Sequence, residues 1–377
     1  MTPDAARLVH LELRDFRNFA RAELAPPPNG VVLIGDNGQG KTNVLESIAY
    51  LQILRSVRGA RDPDLVRFGA DAFHIGARAE TDVPHEIGVG FERSTKRKRV
   101  RIDGVVPQKL SLALGTLPSV MFSPADVELI AGSPAARRRF LDVMLALTSR
   151  GYLNDLQHYR AALAQRNAAL REAARSHRES HAAIGVWEPT LSLHGGLIVQ
   201  HRRAWIACVA ERFTELCREI GEEERVELRY ACTTGDEPDA QSALAAALDT
   251  KRSIDVRRGL THAGPHRDDI VITLDGRELR TFGSAGQQRT AAIALRMLEA
   301  ATFTERTGRA PVFLLDDPFA ELDVGRASRI LALLTRAGGA HGQTILAVPR
   351  EHEIPNELTQ LERVRVRAGT LAPARAE

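Results

Sequence analysis

The chain has 377 residues, 44% of them hydrophobic and 26% charged, with a formal net charge of +3 and a pI near 8.9. This composition belongs to a folded globular protein long enough for two or three lobes, and it excludes wholesale disorder. No apolar run approaches the ~20 residues of a membrane-spanning helix, residues 1–11 lack the apolar core of a secretion signal, and the cytoplasm is the expected compartment.

Five lysines stand against 46 arginines. GC-rich coding bias accounts for this, beside the mechanistic alternative that arginine grips phosphate bidentately. Cys208, Cys217 and Cys232 form no CxxC pair and the histidines no HExxH. Unpaired packing cysteines and no structural zinc are expected.

In chain order, LVHLELRDF from Leu8 reads as a strand, and Gly30-Val31-Val32-Leu33-Ile34, after the turn Pro26-Pro27-Pro28-Asn29, as a fully buried one. Short alternating strands fill 72–106, with Asp103-Gly104 as a hairpin turn. From Ser133-Pro134, a helix cap and first-turn proline, to Gly221 the pattern turns helical. Two long helices joined near 180–189 are predicted to form an antiparallel hairpin, with Trp187 and Trp205 in its core. Strands return at 227–230 and 269–279, a helix runs from Ser284 to about Glu305, and 312–315 and 344–348 are buried parallel-type strands. Residues 368–377 read as a loose tail. Alternating strands and helices predict an α/β core with a mostly parallel sheet plus a helical insertion lobe. The expected division is 1–132 and 259–377 for the core and 133–258 for the insertion.

Directly after the second strand, Gly35-Asp36-Asn37-Gly38-Gln39-Gly40-Lys41-Thr42 matches GxxxxGK[ST], and Asn43 continues into a helical pattern. Glycines let backbone N–H groups turn inward around a phosphate, and the helix N-terminus adds positive potential. Lys41 would reach the β- and γ-phosphates of ATP, and Thr42 would offer its hydroxyl to Mg²⁺. The acid that completes such a site should end another core strand, and Val312-Phe313-Leu314-Leu315-Asp316-Asp317 fits. Asp316 is the expected Mg²⁺ partner, and Asp317 the group that orients or deprotonates the attacking water.

Kinases and GTPases share those motifs. Ser284-Ala285-Gly286-Gln287 at a helix start narrows the choice, because a second anion site makes sense if it reaches the γ-phosphate held by a neighbouring copy. Pro318-Phe319-Ala320-Glu321-Leu322-Asp323 follows the acidic pair, where ABC ATPases place their subunit-contacting D-loop, here ending on Asp323. The reading is an ABC-type ATPase head in which Ser284, Gly286 and Gln287 act in trans.

Further blocks carry a more specific resemblance: Arg17-Asn18-Phe19, GDNGQGKTNVLESI, Leu54-Arg55-Ser56, Arg67-Phe68-Gly69, Phe122-Ser123-Pro124, RRRFLD at 137–142, Gly264-Pro265-His266-Arg267-Asp268-Asp269 and LLDDPFAELD. Together they resemble the RecF family of bacterial DNA replication and repair proteins, relatives of the SMC ATPases. The resemblance implies a head with a helical insert that forms an ATP-dependent homodimer. It further implies binding to duplex and gapped DNA and cooperation with the recombination mediators of that pathway in loading RecA. A shade of this reading is a DNA-structure binder that uses ATP as a clamp and hydrolyses it only slowly to reset. Two positions depart from the family pattern. Ala285 replaces a usual glutamine, and Val348-Pro349-Arg350 stands where a switch histidine is common.

The densest basic run, Lys96-Arg97-Lys98-Arg99 with Arg101 beyond, is the candidate DNA contact, read as a backbone-binding stripe or as a solvated turn. His266-Arg267-Asp268-Asp269 is expected to brace the signature helix or the dimer interface. An ABC transporter ATPase subunit is the alternative function, disfavoured by the long insert between Lys41 and Ser284.

Overall fold

The structure, a computed structural model, describes residues 4–176, 181–319, 323–338 and 342–374. It divides into two compact units, one built from Met1–Asp126 with Ile293–Glu377 and the other from Val127–Ala292.

Among the described residues the first unit holds two large sheets, besides a two-residue parallel pair of Asp4–Ala5 with Arg309–Ala310. Strand Gly30–Ile34, five buried residues in succession, lies inside a six-stranded sheet with parallel neighbours Thr344–Val348 and Glu362–Arg367. Val312–Asp316 and Ser119–Phe122 extend that sheet in parallel on one side. A continuous apolar run suits a strand covered on both faces. The second sheet is antiparallel, in the order Phe19–Leu24, Arg7–Phe16, Ala72–Glu80, Pro84–Glu92 and Arg97–Ile102. Helix Lys41–Ile53 packs within the core shared by both sheets. Ten of its thirteen residues are buried, so no polar face is left for water. Phe73 of the antiparallel sheet meets Phe16 and Tyr50 edge-on at centroid distances of 5.5 and 5.8 Å, contacts worth about 0.5–1.5 kcal/mol each.

Residues 368–373 are not a loose tail. Ala368 and Gly369 both take positive φ, 46° and 74°, and the chain reverses into strand Thr370–Pro373, antiparallel to Glu362–Arg367. Two consecutive left-handed residues match the right-handed twist of a hairpin.

In the second unit, helices Arg150–Ser176 and Glu188–Ile220 run antiparallel. Tyr152 meets His201, His158 stacks on His194 and Arg166 pairs with Glu188, so the numbers rise on one helix as they fall on the other. Trp205 is core, edge-on to Phe140 of helix Pro134–Thr148, whereas Trp187 is only half-buried at a helix start. Strand Asp269–Leu274 pairs antiparallel with Val226–Ala231 and, through the Gly276 turn, with Arg277–Glu278. This pairing moves the second boundary from the expected 258 to 292, inside helix Ala285–Thr307. No helix among the described residues is long and apolar enough to cross a membrane.

Candidate nucleotide site and nucleic-acid face

Strand Gly30–Ile34 delivers the chain into a loop with no room for side chains at two points. A Cβ on Gly35 would stand 2.2 Å from the carbonyl oxygen of Val366 on the neighbouring strand. Gly40 has φ 122°, and a Cβ there would meet Asn18 Nδ2 and Phe19 Cζ, both at 2.8 Å. The loop is also held from outside. Asn18 Nδ2 and the Gly369 amide donate to the Gln39 carbonyl at 2.8 and 3.2 Å, and the Ala368 amide donates to Gln39 Oε1 at 2.6 Å. Gln39 is therefore a fastening point for the C-terminal hairpin rather than a wall of the cavity.

That cavity, of about 330 Å³, is bounded by Asn37, Gly38, Gly40, Lys41, Thr42 and Asn43 of the loop and helix, and by Asp316 and Asp317 opposite. Gly35 and Asp36 do not line it. Their carbonyl oxygens instead accept from the Lys41 ammonium, which burial makes less basic than an ordinary lysine while Asp316, Asp317 and Asp36 oppose that change.

Thr42 Oγ1 donates to Asp316 Oδ1 at 2.9 Å, joining the helix start to the end of strand Val312–Asp316. Burial pushes the Asp316 carboxyl above the usual carboxylate range, and the charge of Asp317 adds to this. The Thr42 hydrogen bond, Arg58 and Lys41 pull it back. One hydroxyl and one carboxylate at the base of a phosphate-sized cavity form an all-oxygen donor set, the kind that suits Mg²⁺ shared with a phosphate. Asp317 lies in the left-handed region at φ 46° and donates its amide to Ala347 O at 3.0 Å. Polar aspartate tolerates that backbone better than most residues.

Arg58 has no forerunner in the motif reading. It lines the cavity, donates to Asn43 Oδ1 at 3.3 Å and stands 3.6 Å from Glu46. The only signal is its place two residues after Leu54-Arg55-Ser56. Those flanking blocks have a common physical basis, because Arg17 and Ser56 both donate to Glu46 on the loop helix. Pro124 and Pro349 close the remaining walls, so the position lacking a switch histidine still reaches the cavity.

Ser284 and Gln287 form a reciprocal cap. The Gln287 amide donates to Ser284 Oγ at 3.2 Å and the Ser284 amide to Gln287 Oε1 at 2.9 Å. Ser284 and Ala285 are exposed, and Gly286 and Gln287 half-buried. Asp323 caps helix Val324–Gly338 by accepting from the Arg326 amide at 2.8 Å, while Ala320, Glu321 and Leu322 of the expected D-loop lie outside the described residues.

The basic run splits across the two faces of its strand. Arg97, Arg99 and Arg101 are exposed on the outer face, where Arg99 and Arg101 stand opposite Gly90 and Gly88 of the adjacent strand. Lys96 sits exposed in the preceding turn, at φ 52°. Lys98 leaves the candidate DNA group. It shares the inner face with Val100, pairs with Asp62 at 2.9 Å, donates to the Leu54 carbonyl and lies 5.1 Å from the centroid of the Tyr50 ring. Period-two alternation separates it from its neighbours.

The His266–Asp269 block braces the helices of its own unit instead of the signature helix. Asp269 takes both Nε and Nη2 of buried Arg137 at 2.8 Å, and Asp268 takes the Thr233 amide and hydroxyl and the Tyr230 hydroxyl. The Tyr159 hydroxyl donates to His266 Nδ1 at 2.6 Å.

The model of the RecF/RecN/SMC N terminal domain matches residues 7–370. The DNA replication and repair protein RecF of Chloroflexus aurantiacus is 38% identical over 86% of this chain and 89% of its own length. That of Roseiflexus castenholzii is 36% identical over 97% of this chain and 100% of its own. The chain belongs to the RecF family. It is a DNA replication and repair protein of that type, with the α/β ATPase head expected of it. A solved structure described as the recombination mediator protein RecF with ATP, in the RecFOR pathway, superposes with a TM-score of 0.90. It is 26% identical, and 99% of each chain is covered. An SMC head domain from Pyrococcus furiosus, 15% identical with a TM-score of 0.56 over 98% of this chain and 96% of its own, shares the fold.

Proposed function

We propose that this chain binds ATP with Mg²⁺ in the loop cavity and closes on it as a head-to-head homodimer. In that dimer Ser284, Gly286 and Gln287 of one copy cap the γ-phosphate held by the other. The observation that carries the reading is the 2.9 Å hydrogen bond from Thr42 to Asp316, set beside the Lys41 ammonium at one cavity. Thr42 and Asp316 would hold Mg²⁺, which when bound neutralises charge on the phosphate oxygens. Lys41 adds a second positive charge at the β- and γ-phosphates. Asp317 accepts a proton from a water as that water attacks the γ-phosphorus, and ADP departs with the bridging oxygen. Ser284 accepts the Gln287 amide on a lone pair, so its hydroxyl proton can turn to a phosphate across the dimer. Asp323, beyond the acidic pair, sits where the two copies would meet.

DNA is held through its backbone, without reading of bases. Arg97, Arg99 and Arg101 project from one exposed strand face, a placement suited to phosphate contacts. The dimer acts as a clamp on duplex or gapped DNA that slow hydrolysis resets, in support of RecA loading together with the other mediators of the pathway. Family membership across 7–370 leaves the transporter-subunit alternative without support.

Light scattering tests the clamp. Lys41→Met should abolish ATP-driven dimerisation, whereas Ser284→Ala should weaken it and spare ATP binding to the monomer. A wild-type chain that stays monomeric at high concentration with ATP and DNA would defeat the model. ATP turnover measured with duplex, single-stranded and gapped DNA tests the coupling, and stimulation is the expected result.

A further inference from the structure

The Val127–Ala292 unit contains a cavity of its own, about 240 Å³, and its polar lining is unbalanced. Arg138, Arg139, Arg160 and Arg202 contribute four guanidinium groups, against a single carboxylate, Asp142. That carboxylate is already committed. Its Oδ1 accepts from Arg202 Nη2 and from the Tyr152 hydroxyl, both at 2.6 Å, and its Oδ2 from Arg160 Nη2 at 2.8 Å.

The four cations differ in what they have left to give. Arg202, 2% exposed, donates to Tyr152, Tyr230, the Pro265 carbonyl and Asp142, so it contributes field rather than contact. Arg138 uses one donor, to the Asp268 carbonyl at 2.8 Å, and Arg160 only the one on Asp142. A guanidinium carries five N–H groups, so most of the hydrogen-bonding capacity of both remains available. Arg139 adds an exposed positive charge on the same helix. His266 brings no charge, since burial pushes it down to about 4. Its Nε2 donates to the Thr261 carbonyl at 3.1 Å and its Nδ1 accepts from Tyr159. Asp269 and Asp268 also act electrostatically on Arg138, and Asp269 is already held by both Nε and Nη2 of buried Arg137. Leu156 and Ile198 supply an apolar floor that weakens the competition from water.

We infer that this cavity binds a phosphoryl group, gripped by Arg138 and Arg160 in the field of Arg202. The group could be a backbone phosphate of nucleic acid or a free phosphate compound. Forked, preorganised donors match phosphate oxygens bidentately, and Arg138 and Arg160 keep unused N–H groups at a cavity whose one carboxylate is already saturated. The site is separate from the loop cavity and needs none of its residues. Only its nucleic-acid arm rests on the DNA-binding reading above.

The test uses the full chain carrying Lys41→Met, which silences the loop cavity, titrated calorimetrically with inorganic pyrophosphate. A parallel titration follows a labelled 30-base-pair duplex, of about that length, by anisotropy at several salt concentrations. Adding Arg138→Gln and Arg160→Gln should weaken pyrophosphate binding by about tenfold per arginine. If DNA is the source, the duplex also binds more weakly, with a salt slope smaller by roughly 0.9 for each phosphate lost. If a free phosphate compound is the source, pyrophosphate binding falls and duplex binding does not. Undiminished binding of both probes overturns the inference. Should the double variant unfold, Arg160→Gln alone carries the test, because that side chain is 55% exposed. A wild-type chain that ignores duplex would sink the DNA reading, while the pyrophosphate arm would still decide this site.

Discussion

Glu46, in the middle of the phosphate-loop helix, receives two hydrogen bonds of 2.9 Å from the single guanidinium of Arg17, and its side chain is wholly buried. The Ser56 hydroxyl adds a third at 2.5 Å. Glu46 thus ties the loop helix to the antiparallel sheet and to the segment that carries Arg58. Removing one member of a buried ion pair strands the other. Glu46→Ala should therefore cost about 3–5 kcal/mol of unfolding free energy, measured by urea denaturation. A loss under about 1 kcal/mol would show that the pair contributes little.

Gly35→Ala tests how tightly the loop is seated. The new methyl would fall 2.2 Å from the Val366 carbonyl, a backbone atom that cannot swing away. Overpacking of this kind costs about 1–3 kcal/mol. Loss of the same size from nucleotide affinity corresponds to roughly tenfold weaker ATP binding. Titration with a fluorescent ATP analogue reads the change, and unchanged affinity would mean that the sheet relaxes around the methyl.

On the basic strand, neighbouring cations should behave differently. Arg99→Ala and Arg101→Ala should each lower the slope of log K against log salt for duplex DNA by roughly 0.9, if each meets one phosphate. Lys98→Ala should leave that slope unchanged. It should instead lower the melting temperature, because the lysine ties Asp62 and the Leu54 carbonyl to the sheet. Anisotropy and thermal melts on the same three variants separate the two roles.

His266 sets a pH dependence of stability. Burial holds it neutral in the folded state down to about pH 4, while in the unfolded chain it takes up its proton near 6.5. The unfolded state therefore binds the extra proton between those values, and stability falls as pH drops from 6.5 to 4. The loss from this group amounts to roughly 3 kcal/mol. Urea unfolding at intervals across that window should show the decline in the wild-type chain and a flatter profile in His266→Gln. Parallel profiles would assign the loss to other groups.

The phosphate loop is legible because the order of buried strand, glycine turn and helix leaves a single way to present the amides of Gly38 to Thr42. Asp316 and Asp317 are legible because they end an uninterrupted apolar run. The inward turn of Lys98 could also have been read, since it shares the alternation of Val100. Other features depend on contacts between distant segments. Asp269–Leu274 joins the second unit by pairing with Val226–Ala231, and no local pattern encodes a partner so far away. The composition of 368–377 suggests a tail, and only the paired positive φ of Ala368 and Gly369 makes it a hairpin. Arg58 reaches the cavity from a segment whose neighbours serve Glu46, so residue type alone did not distinguish it.

Strand Gly30–Ile34 finds both of its partners, Thr344–Val348 and Glu362–Arg367, near the far end of the chain. During synthesis the future nucleotide cradle must therefore wait, unpaired on both edges, until residues 344–367 have been made. The Val127–Ala292 unit, contiguous in sequence, is free to fold meanwhile. A nascent polypeptide interrupted before residue 344 would present an apolar edge strand with nothing to cover it, a species that chaperones and proteases can recognise.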